Sequence, residues 1–106
     1  MKIICIGLNY LDHTVEFGLT APDQPVVFCK TTNALVGDGE PIRIPKASQK
    51  VDYEAELVTV IGKTAKDVAE SEALDYVSGY ACGNDVTFDV PSHGQTKFGG
   101  SNACLK

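Results

Sequence analysis

The chain has no excess of basic charge, no paired-cysteine motif, no nucleotide-binding glycine pattern and no long apolar run near its start. Each absence removes a class of function. Nine Lys and Arg stand against fourteen Asp and Glu, a net charge of -5 spread along 106 residues, which argues against a nucleic-acid or anionic-membrane surface. Small molecules and cations are the expected partners. The four cysteines, Cys5, Cys29, Cys82 and Cys104, are far apart, and no C-x-x-C spacing points to zinc or a redox couple. Cys5 and Cys29 lie in apolar runs and read as small buried thiols of a reducing cytoplasm. The opening MKIICIGLNYLDH has one Lys and five fairly apolar residues before polar ones intervene, too short for a signal peptide or a membrane span. Neither G-x-G-x-x-G nor G-x-x-x-x-G-K-[ST] is present, so a nucleotide-binding module is a distant reading. There is no internal repeat, no low-complexity segment and no compositional sign of disorder.

What remains is a globular composition, 43% hydrophobic and 22% charged, enough for one domain with a modest core. Short strands dominate. Lys2 to Gly7 is a continuous apolar run ended by Gly, a buried strand. Asn9 to Phe17 fits a helical turn stopped by Gly18, and Ala21 to Pro25 a turn before a strand at Val26 to Lys30. Asn33 to Val36 continues the strand pattern after a break. Gly37, Gly39 and Pro41 mark a turn, Ile42 to Ile44 a short strand, and Pro45 to Lys50 a polar loop. Tyr53 to Ile61 is the longest strand candidate. Asp67 and Glu70 form a D-x-x-E capping box opening a helix through about Val77 that packs Val68, Ala73, Leu74 and Val77, ended by Ser78 and Gly79. Tyr80 to Val86 returns as a strand, and Pro91, His93, Gly94, Gly99 and Gly100 predict an irregular tail from Asp89. The fold class is α+β and β-rich, with short helices.

The stretch "VDYEAELVTVIGK" sets two carboxylates inside the longest strand. Period-two alternation puts Glu54, Glu56, Val58 and Val60 on one face and Tyr53, Ala55, Leu57, Thr59 and Ile61 on the other. On an exposed edge strand such a pair is commonly just a solvated face. Here the same face continues through Val58 and Val60 toward a core, and two unpaired carboxylates on a partly buried face are costly unless a cation compensates them. A third acid, Asp85, ends another strand in "GNDVT", and neighbouring strands could bring it beside the glutamates. Three oxygen donors without His or Cys suit a hard divalent ion, Mg2+ or Mn2+, with Ca2+ a further candidate, rather than Zn2+.

Four segments, "IICIGLNYLDHTVEFG", "PVVFCKTTNALVGDGEPI", "VDYEAELVTVIGK" and "EALDYVSGYACGNDVT", together resemble the catalytic domain of the fumarylacetoacetate hydrolase family over roughly residues 3 to 87. The resemblance implies a mixed β-roll or barrel, here partial, and a Mg2+ or Mn2+ centre whose ligands fall on Glu54, Glu56 and Asp85. It also implies a catalytic role for His13 and Glu16, three residues apart on a helical turn, with Glu16 orienting the imidazole and His13 taking a proton from water. Without the family the pair reads as a surface His beside an acid. Lys30 matches a family lysine that could hold a substrate carboxylate or oxyanion, although Thr31 follows it where Pro is usual. The implied activity is metal-dependent hydrolysis or lysis of carbon-carbon bonds in 2-oxo or 2,4-diketo acids such as acylpyruvates, through an enolate stabilised by the metal. Relatives isomerise, decarboxylate or hydrate oxo acids. The family's usual homodimer is implied for the full-length form.

Departures accompany the matches. Where the family carries an S-A-R-D type stretch, "NDVTFDVPSHGQ" has Thr87 and Phe88 and no Arg, and "GQTKFGGSNACLK" departs from the family's K-S-F-D-T and Cys-Pro. The family domain is about twice this length and includes a T-G-T-P type loop. Residues 1 to 106 are therefore expected to be a single truncated domain, matching over about 3 to 87 and divergent from 88 to 106, poorly stable and little active by itself. A non-catalytic remnant that binds a metal or acts as an interaction fragment is the alternative.

Overall fold

The computed structural model describes residues 1–44, 46, 48, 50–88 and 100–105. Expectations placed on Pro45, Ala47, Gln49 and residues 89–99 lie outside these. The chain divides into two compact units, Met1–Ala34 and Leu35–Lys106.

The first unit is a two-stranded antiparallel sheet and a helix. Strand β1 (Ile3–Gly7) pairs with β2 (Val26–Lys30), with Ile3 opposite Lys30 and Gly7 opposite Val26. Leu8 follows β1 with φ 55, a left-handed conformation that costs a non-glycine residue about 1–2 kcal/mol, and it turns the chain into helix α1 (Leu11–Glu16). The buried Thr14 fixes this helix: its hydroxyl donates to the Leu11 carbonyl at 2.6 Å, and its own carbonyl accepts from Leu19 N–H at 2.9 Å. Gly18 takes φ 65, the left-handed stop that the sequence pattern predicts. A 3-10 turn at Thr32–Ala34 closes the unit.

Both faces of β1–β2 are apolar, which alters the reading of the cysteines. The register places Ile4 and Ile6 on the same face as Cys29 and Val27. Ile4 and Val27 are both 60% exposed and Cys29 is also exposed, so the buried thiol expected at Cys29 is not found. Cys5, on the opposite face, is half-buried.

The second unit is a five-stranded sheet built around one long strand, β6 (Val77–Phe88). On one side β6 pairs antiparallel with β7 (Gly100–Leu105), which in turn pairs in parallel with the short β3 (Leu35–Val36). On its other side β6 pairs antiparallel with two consecutive segments, β4 (Val51–Asp52) and β5 (Ala55–Ile61). Residues 100–105, expected to be irregular, are a strand, because pairing on both sides overrides the weak propensity of Gly100.

Other expectations are corrected here. Ile42–Ile44 forms no strand; three residues between Pro41 and Pro45 are too few to set up a ladder, and Ile44 is 60% exposed. The D-x-x-E box does not cap a helix. Asp67 sits at φ 52, away from the extended conformation an N-cap needs, and Ala69 takes that position without a side-chain bond. The segment that follows, Glu70–Tyr76, is a 3-10 helix. Three residues per turn displace Leu74 from the face a 3.6-residue period would give it, and Leu74 is 75% exposed. Val68 and Val77 are half-buried, and Ala73 is exposed. At the far end of β5 the pairing slips by one residue between Val60 and Ile61. Gly62 then passes so close to Ser78 that a Cβ there would lie 2.6 Å from the serine Cβ.

Candidate metal centre

The predicted strand from Tyr53 to Ile61 is interrupted, and the interruption builds the site. On either side of the gap the register is continuous, Asp52 opposite Thr87 and Ala55 opposite Asn84, so Glu54 faces Asp85 directly across the ladder. Asp85 N–H donates to the Glu54 carbonyl at 2.8 Å, as an ordinary antiparallel pair requires. The Glu54 N–H instead reaches the Asn84 side-chain Oδ1 at 3.0 Å. A side-chain acceptor thus stands in at this rung of the ladder, between β4 and β5.

Residues opposite one another in an antiparallel pair project to the same face, and so do residues two apart on a strand. Glu54, Glu56 and Asp85 therefore share one face. One carboxylate oxygen from each lies within 4.8 Å of the others. Asp85 is buried, 7% exposed, and the two glutamates are half-buried. Val86, beside Asp85 in the sequence, is 3% exposed and belongs to the core of this unit. The alternation expected along β5 holds at Glu54, Glu56 and Val58, but Val60 is 46% exposed and does not continue the face into a core.

Two neighbouring groups shape the cluster. Thr87 Oγ1 donates to Glu54 Oε1 at 2.6 Å, a bond that fixes the rotation of that carboxylate. Asp52, opposite Thr87, is drawn to Lys50 Nζ at 2.8 Å in an exposed ion pair. Asn84, Asp85 and Thr87 thus supply from one short run of β6 a side-chain acceptor for the Glu54 N–H, a facing carboxylate and a donor to the Glu54 side chain. The roles of Asn84 and Thr87 are not among the expectations from sequence. The signal was available in "NDVT", since Asn and Thr flanking an acid at strand spacing are polar groups suited to holding an opposing carboxylate.

The donor set fits a hard divalent cation. Oxygen ligands of one shell at 2.0–2.6 Å stand roughly 3–5 Å from one another, and the three carboxylate oxygens here lie within 4.8 Å of one another. Three carboxylates held this close on a mostly buried face repel one another, and a divalent ion offsets that repulsion.

His13, Glu16 and Lys30 lie in the first unit. His13 and Glu16 share α1, as expected, and no hydrogen bond or ion pair joins them among the described residues. The His13 ring instead packs against Phe17, centroids 4.7 Å apart. Lys30 ends β2 and is half-buried, with Nζ 5.9 Å from the Phe28 ring centroid. The same unit has an open groove of about 480 Å³ lined by Ile6–Asn9, Leu11 and Ala21–Pro25. Asp23 is its one ionisable group, and it includes none of the six candidate residues.

Comparison with known proteins places this arrangement. The chain belongs to the fumarylacetoacetate hydrolase family, whose model, described as the fumarylacetoacetate hydrolase C-terminal domain, matches residues 2–102. A mitochondrial oxaloacetate tautomerase of Xenopus laevis is 50% identical over 86 residues, covering 81% of this chain and 27% of the tautomerase. Among solved structures, fumarylpyruvate hydrolase from Pseudomonas aeruginosa, in complex with Mn2+ and pyruvate, aligns with a TM-score of 0.75 at 26% identity. That alignment covers 99% of this chain and 51% of the hydrolase. A 5-carboxymethyl-2-hydroxymuconate delta-isomerase from Mycobacterium smegmatis aligns at 0.69 and 42% identity, over 81% of this chain and 34% of the isomerase. The chain thus spans about a quarter to a half of the length of these relatives. It carries the β-rich α+β fold of an enzyme family that includes hydrolases and isomerases. Among the described residues no helix is long and apolar enough to cross a membrane.

Proposed function

We propose that this chain forms the metal-holding part of a Mg2+- or Mn2+-dependent enzyme acting on 2-oxo acids, with Glu54, Glu56 and Asp85 as the ligands. One observation carries the reading: three carboxylates, from β5, from β6 and from the break before β5, one of them buried, converge within 4.8 Å. The relatives support the substrate class. Oxaloacetate, fumarylpyruvate and pyruvate each carry a carboxylate beside a 2-oxo group, and such a pair of oxygens is a natural chelator for a hard ion with open positions.

When bound, the ion supplies Lewis-acid polarisation of the 2-oxo group. The protein's own residues do the rest. Strand pairing holds Glu54 against Asp85, and Thr87 and Asn84 fix the glutamate's side chain and backbone. His13 is the proposed proton acceptor, with Glu16 on the same helix. Lys30 is the proposed partner for a substrate carboxylate or oxyanion. Hydrolysis or lysis of a carbon-carbon bond in acylpyruvate-like diketo acids is the proposed reaction, with isomerisation or tautomerisation of oxo acids on the same centre as the alternative within the family. The proposed setting is cytoplasmic, with the mitochondrion as the alternative suggested by the Xenopus relative, and the proposed assembly is a homodimer of a longer chain.

A second reading, a segment that binds metal without turning over substrate, is favoured by the exposed apolar faces of both units, Ile4 and Val27 in one and Leu57, Tyr80 and Ile61 in the other. Calorimetric titration with Mn2+ at neutral pH tests the site, and spectrophotometric assays of oxaloacetate tautomerisation and acylpyruvate cleavage test the chemistry. Glu54→Gln abolishes both signals on the first reading. On the second, Mn2+ binding is lost and there is no turnover to lose. Absence of Mn2+ binding by the folded chain refutes both.

A further inference from the structure

We infer that Thr87 sets the ion preference of this centre, holding Glu54 as a one-oxygen ligand and thereby favouring Mg2+ and Mn2+ over Ca2+. The inference rests on the assignment of Glu54, Glu56 and Asp85 as ligands. It adds a positioning role for a residue outside the proposed ligand set.

Thr87 lies two residues beyond Asp85 on β6, diagonal to Glu54 and on the same face. Its hydroxyl has two acids within reach of that face, Asp52 directly opposite and Glu54 on the diagonal. Lys50 engages Asp52 at 2.8 Å, and the hydroxyl goes to Glu54 Oε1 at 2.6 Å. A β-branched side chain in a strand has little freedom about χ1, so this donor is fixed in direction. Glu54 is anchored at three points: its carbonyl by Asp85 N–H, its N–H by Asn84, and Oε1 by Thr87. No described group bonds Oε2. With Oε1 engaged by Thr87, Oε2 is the Glu54 oxygen left without a protein donor among the described residues, and the bond disfavours both oxygens closing on one ion.

That restriction discriminates between ions. Mg2+ demands near-octahedral geometry at 2.0–2.1 Å and is suited by carboxylates giving one oxygen each. Ca2+ takes six to eight oxygens and readily accepts both oxygens of one carboxylate. Removing the hydroxyl frees the Glu54 carboxylate to rotate. It loses the aim that the small ion needs and gains the two-oxygen mode that the larger ion uses.

The test is a set of titrations with Mg2+, Mn2+ and Ca2+ on the wild-type chain, Thr87→Val and Thr87→Ser, read by calorimetry, with far-UV circular dichroism to verify folding. Loss of a group that orients a metal ligand typically lowers affinity by about 10–100-fold. Thr87→Val should weaken Mg2+ and Mn2+ binding by at least about 10-fold while Ca2+ affinity changes less than about 3-fold or rises. Thr87→Ser, which keeps the hydroxyl, should restore the wild-type order. Thr87→Ala carries the same expectation as Thr87→Val should the valine variant fail to fold. If wild type binds Mn2+ and the hydroxyl-free variants show the wild-type Mg2+ to Ca2+ ratio, the role of Thr87 is overturned while the ligand assignment stands. If wild type binds none of the three ions, the ligand assignment falls and this inference falls with it.

Discussion

Replacing Asp85 by Asn should stabilise the metal-free protein and destabilise the metal-loaded one relative to wild type. Asp85 faces Glu54 across the ladder, with Glu56 on the same face, and their nearest oxygens lie within 4.8 Å. Two unit charges at that distance repel by roughly 1 kcal/mol at the dielectric of water and about 3.5 kcal/mol at an effective value of 20. Neutralising Asp85 removes two of the three pairwise repulsions. Because the glutamates are half-exposed and screened by solvent, a net gain of about 1–2 kcal/mol is expected in EDTA. For a chain of this size that corresponds to about 4–8 °C in melting temperature per kcal/mol. In Mn2+ at a thousand times the dissociation constant, wild type gains about 4 kcal/mol by mass action, whereas a variant that no longer binds gains almost nothing. The order of melting temperatures should therefore reverse between EDTA and Mn2+, read by circular dichroism or calorimetry. A variant less stable than wild type in EDTA would refute the reasoning, showing that the favourable contacts of the Asp85 carboxylate outweigh its repulsion by the two glutamates.

Further outcomes follow from single positions. Asn84→Ala removes the acceptor of the Glu54 N–H at a partly buried site; denaturant titration should show a loss of about 1–3 kcal/mol and calorimetry a weaker Mn2+ affinity. Val86→Ala opens space at the best-buried apolar position of the second unit and should cost about 1–3 kcal/mol without changing the Mg2+ to Ca2+ ratio. Gly62→Ala drives a methyl group to within 2.6 Å of Ser78 Cβ; it should destabilise by about 1–3 kcal/mol, and the double variant with Ser78→Gly should recover most of that loss in a double-mutant cycle. Asp67→Ala separates two accounts of the segment before Glu70: a capping aspartate would cost about 1 kcal/mol, whereas a residue at φ 52 with no cap bond should be worth much less than that or be relieved by Asp67→Gly.

The site was more legible in the sequence than the fold around it, and the reason is the range of the interactions involved. Glu54 and Glu56 declare a shared face through period-two alternation, which depends only on the local strand. Asp85 joins them if its strand is adjacent, and a sheet of short strands makes adjacency an easy guess. Where the fold was misread, the deciding contacts were distant or the geometry departed from the commonest form. Gly100–Leu105 looks irregular by composition and becomes a strand through pairing with β6 and β3. The Glu70–Tyr76 segment carries helical residues but winds as a 3-10 helix, so a 3.6-residue pattern assigns Leu74 to the wrong side. Ile42–Ile44 has strand-forming residues and no neighbouring strand to pair with among the described residues.

The break between β4 and β5 unites these two lessons. Read as one strand, Tyr53–Ile61 gives the right face for both glutamates but hides what holds them. The interruption arises from Asn84, one residue before Asp85, whose amide oxygen takes the Glu54 N–H. Two residues beyond Asp85, Thr87 takes the Glu54 side chain. A backbone irregularity that would weaken an ordinary strand here coincides with the closest approach of three like charges. Polar residues at such a place have a cost in strand propensity, which the geometry they impose on the carboxylates can offset. Asn84, Asp85 and Thr87 thus all act on a single glutamate. If Asn84→Ala and Thr87→Val each weaken Mn2+ binding, their effects should be non-additive, because both act through the aim of one side chain. Strictly additive losses would show that the two residues act independently and that Glu54 is not the element they share.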